Sequence, residues 1–268
     1  MASAVENPVP LWSERSMRFF NVAFTRSFAK SFGALRMPHW GMQAAPEGRA
    51  IVVYATHPGW WDAVLFMLLL RHFHPGRPAF LPMDAEALRK YAFMKRLGVF
   101  PVEQNSPRGA VAFLQVARMV LQGDANMLWM NAPGRFADVR ERPVPIAAGT
   151  VRLPEIAPHA VFVPLAFEYA QWTEKRGEAL AAFGPPIEGA VLAAMDREAR
   201  HAALRDAQTA VMDRLAADAI TRDPERFRII VSGGAGMGGF YGAWQYMKAI
   251  ARGERHVPHH DPRAGRTG

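Results

Sequence analysis

A histidine and an aspartate five residues apart, His57 and Asp62, flank a Pro-Gly turn in the stretch Tyr54-Ala55-Thr56-His57-Pro58-Gly59-Trp60-Trp61-Asp62. An imidazole titrates near neutrality. A carboxylate set against it can hold its tautomer and stabilise the imidazolium, so the pair is the smallest constellation for general-base catalysis. On one continuous helix the two side chains would stand about 140° apart around the axis. They meet only if the chain turns between them, and Pro58-Gly59 supplies that turn, because a proline disfavours the helical conformation of the residue before it. A plainer reading stays open, in which Asp62 is an ordinary helix N-cap and His57 a strand-end histidine satisfied by backbone.

The elements that must position this pair follow from periodicity. The apolar run Ile51-Val52-Val53-Tyr54 predicts a buried strand before it, and Ala63 to Leu70 predicts a helix starting near Asp62 and stopped by His74-Pro75-Gly76. A strand is expected at 79–83, then a helix capped by Asp84, running through Leu97 and closed by Gly98. Val99 to Glu103 read as a strand, and Ser106-Pro107 opens a helix whose buried face is Ala110, Phe113, Leu114, Ala117 and Leu121. Two further buried strands are expected at 126–130 and 160–167. The alternation predicts an α/β domain with a mixed, largely parallel sheet flanked by helices. Asn131 to Gly149 form a long polar connection between buried strands, where α/β sites tend to lie. A helix near 196–220 buries Leu204, Ala207, Val211 and Leu215, with Arg197, Arg200, Arg205 and Arg214 on a solvated side.

Half of the 268 residues are apolar, enough for one sizeable core. The absence of cysteine excludes disulfides, thiolate metal sites and thiol catalysis. The net charge of +8 points to an anionic partner. No apolar run reaches the ~20 residues needed to span a bilayer. No secretory signal is read in the first ten residues. A cytoplasmic protein lying on a membrane face is the expectation.

Residues 1–36 are expected to hold an amphipathic N-terminal helix. Met17, Phe20, Phe24, Phe28 and Phe32 form one stripe, with Arg15, Arg18, Arg26 and Lys30 opposite. Such a helix suits a lipid interface, Phe20, Phe24 and Phe28 touching lipid beside the basic residues, or else packs its stripe on the core. Residues 37–225 are expected to form the main domain, and 226–268 a glycine-rich segment, a helix and a disordered tail. Arg228-Ile229-Ile230-Val231 followed by Gly234-x-Gly236-x-x-Gly239 imitates a dinucleotide fingerprint. Too little chain follows to close the βαβ unit, so a hinge before a helix bearing Tyr241, Trp244, Tyr246 and Met247 is the better reading. His256, His259 and His260 stand in a tail without cysteine, and no metal site is expected.

The His-x4-Asp spacing at a strand, turn and helix resembles the signature of the glycerolipid acyltransferases, the 1-acylglycerol-3-phosphate acyltransferase family. Gly98-Val99-Phe100-Pro101-Val102 stands where the second block belongs. Asn131-Ala132-Pro133-Gly134-Arg135-Phe136 stands at the third, often Phe-Pro-Glu-Gly-Thr-Arg, and Val163-Pro164-Leu165-Ala166 is similar to the fourth. The resemblance implies transfer of a fatty acyl group from acyl-coenzyme A or acyl carrier protein, as co-substrate and with no other cofactor, to a hydroxyl of a lysophospholipid or related lipid. It implies His57 as general base oriented by Asp62, oxyanion donors among the N–H groups around Gly134, and substrate contacts at Pro164. Arg135, with Arg108 as a second candidate, would hold an acceptor phosphate. Two departures stand out: the third block lacks its glutamate, and the second lacks the family's phosphate-binding basic residue, so a glycolipid or another membrane alcohol stays open as acceptor. The rival classes are a non-catalytic peripheral membrane or lipid-binding protein, against which the intact His57 and Asp62 count, and a nucleic-acid binder, for which no motif is found.

Overall fold

The computed structural model describes residues 5–42, 46–104, 106–172 and 174–233. In chain order the elements are α1 (Glu14–Ser31), β1 (Ala34–Pro38), β2 (Ile51–Ala55), α2 (Asp62–Phe73), β3 (Ala79–Asp84) and α3 (Ala85–Lys90). Then come β4 (Val99–Val102), α4 (Pro107–Leu121), β5 (Met127–Asn131), α5 (Ala148–Ile156), β6 (Val161–Ala170) and β7 (Glu178–Phe183). The short β8 (Ile187–Glu188), α6 (Gly189–Ala194), α7 (Arg197–Thr221) and β9 (Phe227–Ser232) complete the described chain.

One sheet runs in the order β4-β3-β5-β2-β6-β7-β1-β9, with β8 against β6. The half from β4 to β6 is parallel, and antiparallel pairs join β6 to β7 and β1 to β9. The expected mixed, largely parallel α/β sheet is therefore present. Every residue of β2 is buried because the strand is covered on both faces. Val52 and Tyr54 enter a cluster with residues of α4, α5 and α7, while Ile51, Val53 and Ala55 enter a second cluster under α1 and α2.

Local chemistry sets most boundaries. Asp84 accepts from the N–H groups of Glu86 and Ala87 at 3.0 Å. Ser106 Oγ accepts from Gly109 N–H at 3.2 Å in front of Pro107, and Asp196 accepts from Ala199 N–H at 2.8 Å. Gly98 has φ of +85°, and a Cβ there would lie 2.0 Å from the Ala79 carbonyl oxygen, so only glycine closes that turn into β4. The single helix expected from Asp84 to Leu97 is broken: α3 stops at Lys90 and a 3-10 segment (Ala92–Leu97) follows.

Three expectations are corrected by tertiary packing. The α1 stripe faces inward: Phe28 is fully buried, Met17 is buried, and Phe20, Phe24 and Phe32 pack half-buried against the cluster under α2. Phe28 is thus core and meets no lipid; Arg15, Arg18, Arg26 and Lys30 are exposed, together with Phe19 and Val22 on the same helix. Arg200 is not on a solvated face. It is buried, donates to the carbonyls of Leu192, Val151 and Met195, and pairs with Glu155. Residues 227–232 form an antiparallel edge strand against β1, not a strand of the parallel half. The glycine fingerprint after it, the helix expected beyond and the terminal histidines lie outside the described residues.

The two faces of α1 are expected to respond differently to substitution. Phe28→Ala should lower the free energy of unfolding by about 3–5 kcal/mol, the usual cost of emptying a buried phenylalanine site. Phe19→Ser, at a residue 71% exposed, should leave the urea midpoint unchanged. Equal effects would mean that α1 does not dock as described.

Candidate active site

The site lies outside the carboxyl ends of β2, β5 and β6. There the chain leaves β2 for α2 on one face of the sheet and leaves β5 for α5 on the other. This is the crevice where open α/β sheets hold ligands. Thr56 continues β2: its N–H donates to the Leu165 carbonyl at 3.0 Å and its hydroxyl accepts from Phe167 N–H at 2.7 Å. His57 follows, and Pro58-Gly59 turn the chain into α2.

His57 Nδ1 meets Asp62 Oδ2 at 2.7 Å. The same oxygen accepts from Gly59 N–H at 3.0 Å, and the Tyr169 hydroxyl donates to the other carboxylate oxygen. Asp62 is 1% exposed and opens α2, yet the helix has no side-chain cap, because its carboxylate is committed to the turn, the imidazole and the tyrosine. The N-cap alternative therefore does not hold. With Nδ1 bound to the carboxylate as donor, Nε2 is the free basic nitrogen, and it makes no bond within the described residues. Burial, and then the charge of Asp62, push the Tyr169 phenol well above its ordinary value, so it stays protonated and donates.

Aromatic rings brace this cluster. Tyr169 stacks on Phe32 at 5.6 Å between centroids, and Phe32 meets Trp61 edge-on at 5.2 Å. The end of α1 therefore supports the residue that holds Asp62. On the other side the Phe136 ring stacks on the imidazole at 4.3 Å. The loop carrying it is tied down by Ala132 N–H to the Ala55 carbonyl at 2.7 Å and Ala137 N–H to the His57 carbonyl at 3.0 Å. Thr56, His57, Pro133 and the buried Gln208 line a cavity of about 10 Å³ beside this loop. That is room for about one water, so a substrate must approach His57 from its open side.

The remaining candidates divide. Gly134, with φ of +67°, turns the loop, but its own N–H is used by the Asn131 carbonyl at 2.9 Å. The next two N–H groups, of Arg135 and Phe136, make no bond within the described residues. Arg135 is exposed, pairs with Glu141 and donates to the Phe136 carbonyl at 3.0 Å. Arg108 is exposed in the first turn of α4, which follows edge strand β4, three strands and so roughly 14 Å across the sheet from β2. Pro164 is corrected: it is buried within β6, opposite Tyr54 and beside Gly184, and shapes the sheet without facing a ligand. Tyr169 and Phe136 are site residues that sequence reading missed. Tyr169 lies five residues beyond Pro164, on the continuation of the same strand, but nothing local says that β6 runs beside β2.

Residues 36–168 match the model of the Acyltransferase family, and this part of the chain belongs to that family. Among solved structures, the chain is similar to the 1-acyl-sn-glycerophosphate (LPA) acyltransferase PlsC of Thermotoga maritima. The TM-score is 0.51 at 13% identity, covering 76% of this chain and 83% of that one. At that identity the likeness shows the shared fold. Comparison with curated proteins gives no significant match.

Phe136→Ala should uncover the imidazole. Diethyl pyrocarbonate modification of His57, followed by peptide mass mapping, is expected to quicken several-fold with no change at the other histidines. An unchanged rate would show that the ring does not shield the base.

Proposed function

We propose that the protein transfers a fatty acyl group from an acyl thioester to a hydroxyl of a lysophospholipid or related lipid acceptor. The observation that carries this reading is the His57–Asp62 contact of 2.7 Å with Nε2 left unbonded at the open end of an acyltransferase-family sheet. His57 Nε2 takes the proton of the acceptor hydroxyl as its oxygen bonds to the thioester carbonyl carbon. The carbonyl oxygen becomes an oxyanion, for which the free N–H groups of Arg135 and Phe136 are the nearest unassigned backbone donors. Collapse breaks the carbon–sulfur bond, and the imidazolium returns the proton to the leaving thiolate. Asp62 stabilises the imidazolium, and Tyr169 fixes Asp62. No protein nucleophile is needed, in keeping with a chain that has no cysteine.

A lipid acceptor fits the family, the similar structure's named activity and the charge of +8. Peripheral attachment is the matching location. Support comes from Phe19, Val22, Tyr91 and Phe93, all exposed, near the exposed arginines of α1; no helix among the described residues is long and apolar enough to cross a membrane.

Acyl transfer measured with acyl-coenzyme A and acyl carrier protein donors against a panel of lipid alcohols tests the reading. His57→Ala should cost at least the ~10²–10⁴-fold typical of a general base, and Asp62→Asn should also be severe. Tyr169→Phe should lower kcat roughly ten-fold, the worth of one hydrogen bond to a charged group, with the KM values unchanged. Near-normal turnover by folded His57→Ala would sink the mechanism.

The acceptor head group is tested at Arg135. A guanidinium grips phosphate through two parallel hydrogen bonds that a lysine cannot reproduce. Arg135→Lys should therefore raise KM about ten-fold for a phosphate-bearing acceptor and leave that for the donor unchanged. Equal impairment with an uncharged acceptor would make Arg135 a loop-shaping residue only.

A further inference from the structure

The turn between His57 and Asp62 carries a large side chain with no part in the dyad. Trp60 is 70% exposed, joins neither core cluster and meets Trp61 edge-on at 5.4 Å between ring centroids. Phe136, 60% exposed and stacked on the imidazole, is the second bare ring beside the open side of His57. An indole left this exposed adds little to the core, and bare aromatic surface next to a site marks a place of contact.

The surroundings of these rings are cationic. The end of α1 lies beside them, since Phe32 stacks on Tyr169 and meets Trp61. Arg15, Phe19, Val22, Arg26 and Lys30 recur every three or four residues and so share the outer face of α1, where all five are exposed. That face runs for about 22 Å, and Lys30 stands in its last turn, at the end nearest the site. Arg18 is paired with Glu14 at 2.6 Å, whereas Arg15, Arg26 and Lys30 have no ion pair among the described residues. The connection between β6 and β7 is tied to the same end of α1. Arg176 donates to the Ala29 carbonyl at 2.6 Å, and Gly33 N–H donates to the Gly177 carbonyl at 2.9 Å. This connection presents a further exposed cation, Lys175.

Unpaired cations around bare rings complement a surface that is anionic outside and apolar a few ångströms in. Tryptophan suits such a boundary, with its ring among acyl carbons and its N–H among head groups. We infer that the open end of the site rests on an anionic bilayer, with Trp60 inserted at head-group level and the outer face of α1 lying along the lipid. A lipid acceptor then reaches His57 laterally, without its chain crossing water. That last step rests on the acyl-transfer reading; the surface itself is read by binding alone. An acidic partner protein would meet the same charges, and the experiment separates it.

Vesicles of phosphatidylcholine with an equal part of phosphatidylglycerol, beside vesicles of phosphatidylcholine alone, test it on the full chain. Seven tryptophans emit together, so the spectrum of Trp60→Phe is subtracted to isolate Trp60. On the anionic vesicles that component should shift to the blue and be quenched by lipids brominated high on the acyl chain. Arg26→Gln and Lys30→Gln should each weaken binding about five-fold, the worth of one basic residue near an anionic surface, and added salt should weaken it further. Trp60→Ala should raise KM several-fold for an acceptor held in vesicles and leave kcat, and the KM for a short-chain water-soluble acceptor, unchanged. His57→Ala should bind and be quenched like the unaltered protein. Quenching of Trp60 without any acyl transfer would count against the proposed activity and support the surface. Absence of vesicle binding, equal binding to the neutral vesicles, or binding without quenching of Trp60 would overturn the inference. So would a Lys30→Gln variant that loses transfer from acyl carrier protein while binding vesicles normally, which would make the face a docking site for an acidic protein.

Discussion

A carboxylate that is 1% exposed must be satisfied, and the architecture around the candidate site answers that need at Asp62. Removing a charge from water is costly unless donors replace the solvent. The three donors come from three separate places: the end of β2 through His57, the turn through Gly59, and β6 through Tyr169. The turn is tight: a Cβ at Gly59 would lie 3.2 Å from the Tyr169 ring, closer than ordinary contact. The strand must be long. The paired register of β6 with β2 ends at Leu165 opposite Ala55, yet β6 continues to Ala170 against β7. Without the antiparallel half of the sheet, Tyr169 would have no strand to stand on.

The same network decides which part of the imidazole is left for chemistry. Nδ1 is taken by Asp62, one ring face by Phe136, and the backbone carbonyl by Ala137. What remains is Nε2, which on the proposed function sets the proton-accepting direction before any substrate arrives. Such preorganisation is where an enzyme gains most from a rigid scaffold. Rigidity reaches further through Phe32, which links Tyr169 to the end of α1. A helix that reads as an appendage thus supports the residue that holds the aspartate.

What could be read from the sequence was whatever neighbours in the chain decide. The strand before His57, the helix from Asp62 to Phe73, the Ser106 and Asp84 caps and the closing Gly98 rest on local periodicity, hydrogen bonds and φ angles, and they stand where expected. The His57–Asp62 meeting was legible because five residues and one turn separate them. Tyr169 was not, since its role depends on β6 lying beside β2 more than a hundred residues away in the chain. The phenylalanine stripe of α1 fits a lipid surface and a protein core equally well, and only the presence of α2 beneath it settles Phe28 as core. Arg200 was misjudged for the same reason. Its helical position said surface, but the carbonyls of Leu192, Val151 and Met195 converge on it from other elements. The short β1 and β7 escaped notice because their burial comes from sheet partners distant in sequence, while β9 was visible as a strand but not as an edge.

The departures of the third block bear on the proposed acceptor through the same kind of reasoning. Pro133 stands where a family member often carries glutamate, and Arg135 two residues on pairs instead with Glu141. That pair is exposed, so solvent and salt screen it and it contributes little to holding the fold. It still orients the guanidinium. An arginine whose partner is weakly held can exchange it for a doubly charged phosphate, whereas one buried against a carboxylate would have to leave a charge behind. On the proposed function, Arg135 is the residue of this loop that a phosphate head group would engage.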